Sequence, residues 1–423
     1  MDLPRLHGRR VAVALAAVIA IVSTALAGCG GSPVAANQSV NHCTTQAPGV
    51  TANAIKIGLI QPDTGPAEIA DMFGGSRSAV QARVDLQNAH GGVNGRRIDL
   101  VWGDDQTTPS GFSLAAHDLV DTQQVFGLVA LTVVLDGAAT WLQSKNVPVT
   151  GFASSADWSD FPNVFHFGNL FNKGTVSTYG DYVKAEGGTK AVIVIDPSAA
   201  TSPNLIAALA ASLQSRGVQV VDQVKFTHGM SSASNIAAEL QQSGADALVG
   251  TAQGADFVDI YSQAMSLGIP IKVALNAGGF SASLLTTFGS KMAGLSTIST
   301  FAAPTSPAMK TYSNAMATYS PELRDPSDEI AIASYVAADE MIKGLQLAGP
   351  CPTRATFIDR LRQVTDFTGS GLMPPVDLSK PKEPQLCENF VKADPTGRSF
   401  TAVPPPAALE HDGFWCGQVV PTQ

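Results

Sequence analysis

The stretch from Ile55 to Ala130 alternates apolar strands with amphipathic segments, and this alternation limits the possible folds more than any other feature. Ile55-Lys-Ile-Gly-Leu-Ile60 is short, β-branched and nearly continuous in apolar character, as in a buried strand. Gln61-Pro-Asp-Thr-Gly-Pro66 ends it with turn residues that cannot continue a strand. Ala79, Val80, Arg83, Val84, Leu86 and Gln87 then give a helix with one apolar and one polar face, stopped by Gly91-Gly92. Arg97–Trp102 reads as the second strand, closed by Asp104-Asp105. A helix is expected from about Ser110 to Gln123, and a third strand from Phe126 to Leu131. Strand, loop and helix repeated in this order predict an α/β fold, a parallel sheet covered by helices. Ligands of such sheets sit beyond the carboxyl ends of the strands.

The pattern continues. Asp136–Lys145 is a short helix, Val147–Phe152 a fourth strand, and Asn163–Gly168 a strand expected to leave the first sheet. After a helix over Asn172–Gly187, a second series begins, with strands at Ala191–Asp196, Val218–Phe226, Ala247–Ala252, Ile271–Asn276 and Leu295–Phe301. Helices start near Pro203, Ser231, Gly254 and Ser281, where Pro suits a first turn and Ser side chains suit caps. Three further helices, Pro307–Tyr319, Ser327–Leu347 and Thr353–Val364, follow with little strand between them, and are expected to return to the first lobe. From Thr368 the chain is Pro-rich, with strand-like pieces at Glu388–Lys392 and Gly413–Cys416. The expected division is 54–167 with 303–369 as lobe I, and 168–302 with 370–420 as lobe II. The 423 residues, 45% of them hydrophobic, suffice for two cores.

The amino terminus reads differently. Arg5, Arg9 and Arg10 precede an apolar run from Val11 to Ala25 that ends in Leu26-Ala-Gly-Cys29, the layout of a secretory signal over residues 1–28. That run is shorter than the roughly 20 residues of a spanning helix. Residues 29–53 form a flexible tether of small and polar residues. Without residues 1–28 the formal charge changes from −9 to −11, since three Arg and one Asp are lost. That acidity, with no basic patch, argues against nucleic acid as a partner. Cys43, Cys351, Cys387 and Cys416 are an even set in an exported chain, which favours two disulfides over a zinc site. Three pairings are open. Cys351–Cys387 with Cys43–Cys416 is the expected one, since the second bridge would pin the start of the domain to its last strand.

A search for catalysis finds no HExxH pair, no Gly-x-Ser-x-Gly elbow and no P-loop. Gly91-Gly-Val-Asn-Gly95 lies between helix and strand, so it is a turn rather than a dinucleotide cradle. Asp104-Asp105 fits a strand-end cap better than an acid–base pair, and His117 and His166 have no motif partner. The chain is expected to be no enzyme and to use no cofactor or metal. An exported α/β enzyme remains the alternative from another class.

Ile55–Ile60, Thr64-Gly65-Pro66, Val84-Asp-Leu-Gln-Asn-Ala-His-Gly-Gly-Val-Asn-Gly-Arg-Arg-Ile98 and Asp104-Asp105, in this order, resemble the opening of the type I periplasmic solute-binding proteins of the branched-chain amino-acid (Leu/Ile/Val-binding) family. The likeness is specific over the first seventy or so residues and architectural as far as Trp415. It implies two Rossmann-like lobes joined by crossing segments that close on a small solute, and delivery of that solute to ABC permease subunits by a monomer. Leu26-Ala-Gly-Cys29 also resembles a bacterial lipobox, which implies a lipid on Cys29 and an extracytoplasmic protein anchored to the cell membrane. A receptor feeding a signalling partner is the alternative on the same fold.

By the same resemblance the solute lies among residues at strand ends: Thr64, Thr132, Val133, Phe152, Ser154, Ser155, Gln253 and Asn276. Members that bind amino acids hold the carboxylate with small hydroxylated residues after the third strand, where this chain offers Thr132 alone. They hold the ammonium with an aromatic residue and an acid, where this chain has Gln253 and Ala277. Burying an ammonium without a carboxylate costs several kcal/mol, so an ordinary zwitterionic amino acid is disfavoured, and a polar neutral solute or an apolar acid is as good a candidate. Trp158, between Asp157 and Asp160, is either a lid over the solute or a ring packed on its lobe. Trp102 and Trp141 are expected in the core.

Overall fold

A parallel sheet and a mixed sheet, each with helices on both faces, account for most of the chain. The computed structural model describes residues 43, 47–154, 156–167, 174–197, 202–279 and 282–421, all within one compact unit, Asn41–Gln423. The expected signal, Cys29 and most of the tether lie outside the described residues.

The first half contains β1 (Ala54–Gln61), α1 (Ala67–Met72), α2 (Ser76–Ala89), β2 (Arg97–Asp104), α3 (Pro109–His117), β3 (Leu128–Ala130), α4 (Ala139–Ser144), β4 (Val149–Phe152) and β5 (Val164–Phe167). Its sheet runs β2-β1-β3-β4-β5, all parallel. β1 is buried along its length because it lies between β2 and β3 under helices on both faces. Gly58 fits this crowding, since a Cβ there would meet Leu128 Cδ2 at 2.7 Å. Thr108 caps α3 by accepting from Gly111 N at 2.9 Å, with Pro109 at the first turn.

The second half begins with β6 (Thr175–Val176), α5 (Thr178–Ala185), β7 (Lys190–Ile195), α6 (Ser202–Ser215), β8 (Gln219–Lys225) and α7 (Ala233–Ser243). It continues with β9 (Ala247–Gly250), α8 (Gly254–Ser266), β10 (Val273–Asn276), α9 (Ala282–Phe288) and β11 (Leu295–Ser299). The chain then returns to the first half in α10 (Pro307–Tyr319), α11 (Glu329–Ala348) and α12 (Arg354–Leu361). It ends in β12 (Cys387–Ala393), β13 (Phe400–Ala402), β14 (Glu410–His411), β15 (Phe414–Cys416) and β16 (Val419–Val420). The second sheet runs β8-β7-β9-β10-β11-β12-β15-β14, with β13 also on β12 and only β7 to β11 parallel.

α11 is buried nearly all round, which explains its almost uninterrupted apolar sequence. A buried ion pair, Arg83 Nε to Asp339 Oδ1 at 2.7 Å, joins α2 to α11, and Thr150 Oγ1 donates to Ala337 O at 2.8 Å. The core of the first half thus joins residues far apart in sequence.

Three expectations change. Val164–Phe167 does not leave the first sheet; it is that sheet's fifth strand, aligned by Val149 N on Asn163 O and by Asn163 Nδ2 on Val147 O. Leu372, Met373 and Leu378 lie in the first core, so the chain crosses to the second sheet between Leu378 and Cys387 rather than at 370. The disulfides are Cys43–Cys351 and Cys387–Cys416, not Cys351–Cys387 and Cys43–Cys416. Cys387 and Cys416 face each other across antiparallel β12 and β15 with Cα atoms 4.0 Å apart. Cys43 instead meets the end of α11, where Arg96 spans Thr51 O at 2.7 Å and Pro350 O at 2.8 Å.

Candidate solute-binding site

In each half the loops at the carboxyl ends of the parallel strands carry polar side chains, and many of these hold one another. Asp104, at the end of β2, accepts from Asp63 N at 3.0 Å, Thr64 N at 3.2 Å, Thr64 Oγ1 at 2.5 Å and Gln106 N at 2.8 Å. Partial burial works against its ionisation, but these bonds outweigh it and hold the carboxyl below its ordinary range. Asp105 is fully buried, accepts from Thr107 N at 2.7 Å and is bonded by Thr132 Oγ1. Burial, reinforced by Asp104 and Asp63, pushes its carboxyl up. The pair locks the ends of β1, β2 and β3 together, which is the capping role read from the sequence. Gly65, at φ +121°, makes the turn beside it, where a Cβ would lie 2.6 Å from Thr107 Oγ1.

The residues expected at the site divide accordingly. Thr64 is exposed but tied to Asp104. Thr132 is buried, its proton given to Asp105 while its oxygen accepts from Val134 N at 3.1 Å. Ser154 Oγ donates to Thr132 O at 2.7 Å. Both hydroxyls are therefore spent as donors inside the loop framework. Val133 is 39% exposed and Phe152 half-buried, its ring 5.8 Å from Phe167, so they give this end of the sheet an apolar surface. Ser155 lies outside the described residues. In the second half Gln253 is exposed at the start of α8. Asn276 is fully buried and holds its own turn, donating to Ala252 O and Gly279 O, each at 3.0 Å, and accepting from Gly278 N at 3.2 Å.

Trp158 is not a lid. It is fully buried against Gly151, where a Cβ would lie 2.7 Å from its ring, and belongs to the core under α3 and α4. Trp102 reverses the other expectation: it is 46% exposed on edge strand β2, with the Arg77 guanidinium 3.4 Å above its ring. Trp141 is half-buried and lies 3.8 Å from the His117 ring. His166 is buried, its Nε2 3.1 Å from Ser159 Oγ, and burial together with Arg362 lowers it to about 4, so the ring is neutral.

Three residues that sequence reasoning did not select, Ser299, Glu329 and Glu388, lie on elements that flank the crossings between halves. Ser299 ends β11 and pairs across to Asn389, next to Glu388 on β12. Ser299 Oγ donates to Phe301 O and accepts from Phe301 N, each at 3.3 Å. Glu329 is exposed by surface area yet crowded by protein, and burial and Asp328 raise it to about 7. Burial and Glu329 raise Glu388 to about 8. A DE pair opening a helix reads as a cap, and no spacing rule links it to a strand 59 residues on, so nothing in the sequence marks either acid. A separate cavity of about 730 Å³ lies between the start of α10 and the carboxyl-terminal strands, lined by Ala302, Pro307, Asn389, Val403 and Phe414 among others. None of the residues expected at the site lines it.

A parallel sheet and a mixed one, each covered by helices and joined by crossing segments, are the architecture of a type I periplasmic binding protein. The sequence pattern of the periplasmic binding protein family matches residues 54–398, and the chain belongs to that family of binding proteins, not enzymes. A Leu/Ile/Val-binding protein homolog from Brucella melitensis is 27% identical over 197 residues, 45% of this chain and 52% of that protein. The chain thus matches about half the length of that relative. A crystal structure of a putative branched-chain amino acid ABC transporter from Rhodospirillum rubrum superposes with a TM-score of 0.71 at 18% identity, over 83% of this chain and 100% of that one. A branched-chain amino acid transporter substrate binding protein from Streptococcus pneumoniae, in complex with isoleucine, gives 0.61 at 18% identity over 83% and 99%. Among the described residues, no helix is long and apolar enough to cross a membrane.

Proposed function

We propose that this protein is the extracytoplasmic solute receptor of an ABC importer, tethered to the membrane by a lipid on Cys29, and that it closes its two halves on one small solute. The observation that carries this reading is the family match over 54–398, together with one parallel and one mixed sheet in two halves joined by three crossings. Such crossings suit closure around a ligand, because few backbone torsions must change for one half to turn on the other. The apolar surface of Val133 and Phe152 suits the hydrocarbon part of a solute. Thr64, Thr132, Ser154 and Asn276 act by fixing the loops rather than by donating to the solute. A lipid and a flexible tether would raise the receptor's local concentration at its permease.

The test is a thermal-shift and calorimetric screen of the lipid-free protein against amino acids, amines, small acids and neutral amides. One class should bind saturably, one molecule per chain, with a change in Trp fluorescence on closure. Absence of binding across all classes sinks the receptor reading. Mass spectrometry of the amino-terminal peptide from membranes tests the lipid separately, and an unmodified Cys29 would refute the anchor.

A further inference from the structure

The cavity beside α10 has one wall from each half. Pro307, Ala308 and Gly371 face it from the first half, and Val403, Pro405 and Phe414 from the second. Its volume, about 730 Å³, is in the range of small-molecule sites. Asn389 of β12 also lines it and is only 3% exposed. Asn389 Nδ2 donates to Phe301 O at 3.1 Å, and among the described residues no donor reaches its Oδ1. A buried acceptor left without a donor is costly, and a guest carrying N–H groups would remove that cost. The charged residues of the lining, Glu410 and Asp412, are both acids, and no basic side chain faces them across the cavity.

These groups are held in place by the fold itself. Asp412 and Gly413, at φ +52° and +87°, make the two-residue turn between β14 and β15. Glu410 Oε1 accepts from Gly413 N at 2.7 Å, which fixes one carboxylate oxygen and leaves the other open. The Cys387–Cys416 bridge ties this hairpin to β12, the strand that carries Asn389. Donors for an anion are scarce by comparison. Ser370 Oγ gives its proton to Asp339, and Thr311 Oγ1 gives its own to Pro307 O at 3.1 Å. Ser306 Oγ caps Met309 N at 3.1 Å, and Pro307 has no N–H to offer at the start of α10. We propose that this cavity is a second binding site, separate from the strand-end loops, for a small amine with an apolar body. Its ammonium is drawn by Glu410 and Asp412 and donates to Asn389 Oδ1, while its hydrocarbon lies against Val403, Pro405 and Phe414.

The experiment is calorimetric titration of the lipid-free protein with cyclohexylmethylamine, with cyclohexanecarboxylate and cyclohexylmethanol as anionic and neutral probes of similar shape. The amine should bind saturably and about tenfold or more tightly than either of the others. Ala402→Trp, which places a ring in the cavity, should abolish that binding in a protein that still melts cooperatively. Glu410→Gln keeps an acceptor for Gly413 N but removes the charge, and with Asp412→Asn it should lower the amine to the affinity of the alcohol. That pair decides the matter if Ala402→Trp does not fold. Amine binding at unchanged strength in these variants places the site elsewhere and overturns the proposal. Binding of the acid or the alcohol as tight as that of the amine overturns the ligand class. Binding of none of the three means that the cavity holds water only, and overturns the proposal outright. The receptor reading rests on the family match and the two halves, so none of these results removes its support.

Discussion

At the scale of single residues, the strand-end loops show how a side chain can sit at a site and still be unavailable to a ligand. Thr132 is the hydroxyl that the family resemblance singled out for a solute carboxylate, yet it bridges the buried Asp105 and Val134 N. Thr132→Val keeps the shape and removes the donor, leaving Asp105 short of one partner in a fully buried site. The expected loss is about 1–3 kcal/mol of stability, read as a lower urea midpoint at unchanged slope. If Thr132 instead served the solute, the variant would unfold like the parent and lose affinity. Asn276 behaves alike: Asn276→Ala removes three hydrogen bonds of its turn and should lower the melting temperature before it touches binding. A sequence names such residues but not the direction in which their protons point.

At the scale of elements, periodicity carried most of the information. β1, α10 and the alternating strands from β7 to β11 lie within a few residues of their expected limits, because each buries an apolar set repeating at two or near 3.6 residues. Pairings between distant elements carried no such signature. Val164–Phe167 reads as a strand in any sheet, and its pairing with β4, supported by Asn163 bonded back to Val147, assigns it to the first. The disulfides failed for the same reason, since spacing along a chain says nothing of register across it. Non-reducing peptide mapping should link Cys43 to Cys351 and Cys387 to Cys416, and a Cys351–Cys387 peptide would refute the register of β12 on β15. Removing either bridge should cost about 2–5 kcal/mol, with the larger effect at Cys43–Cys351, which closes 308 residues against 29.

At the scale of the whole molecule, buried titratable groups set opposite limits on stability with pH. Glu340 on α11 is fully buried, and burial pushes its carboxyl well up against the opposing pull of Arg362; both its oxygens lack side-chain partners. Glu388 and Glu329, at about 8 and about 7, shift the same way. A folded state that holds such protons more tightly than the unfolded chain loses stability as pH rises, from about 4.5 upward and through the folded values. His166, lowered to about 4, works in the other direction. The unfolded chain takes up that proton near pH 6.5 while the folded one does not, so stability falls as pH drops below that point. The melting temperature should therefore peak in mildly acidic solution and decline on both sides. Glu340→Gln tests the alkaline limb, because an amide fits the same space and cannot ionise. It should raise the melting temperature by about 2 °C or more at pH 8, a gain on the order of 1 kcal/mol, and have little effect near pH 5. Equal effects at both pH values would show that Glu340 is held by a partner that stabilises its charge, and the alkaline limb would then belong to Glu329 and Glu388 alone.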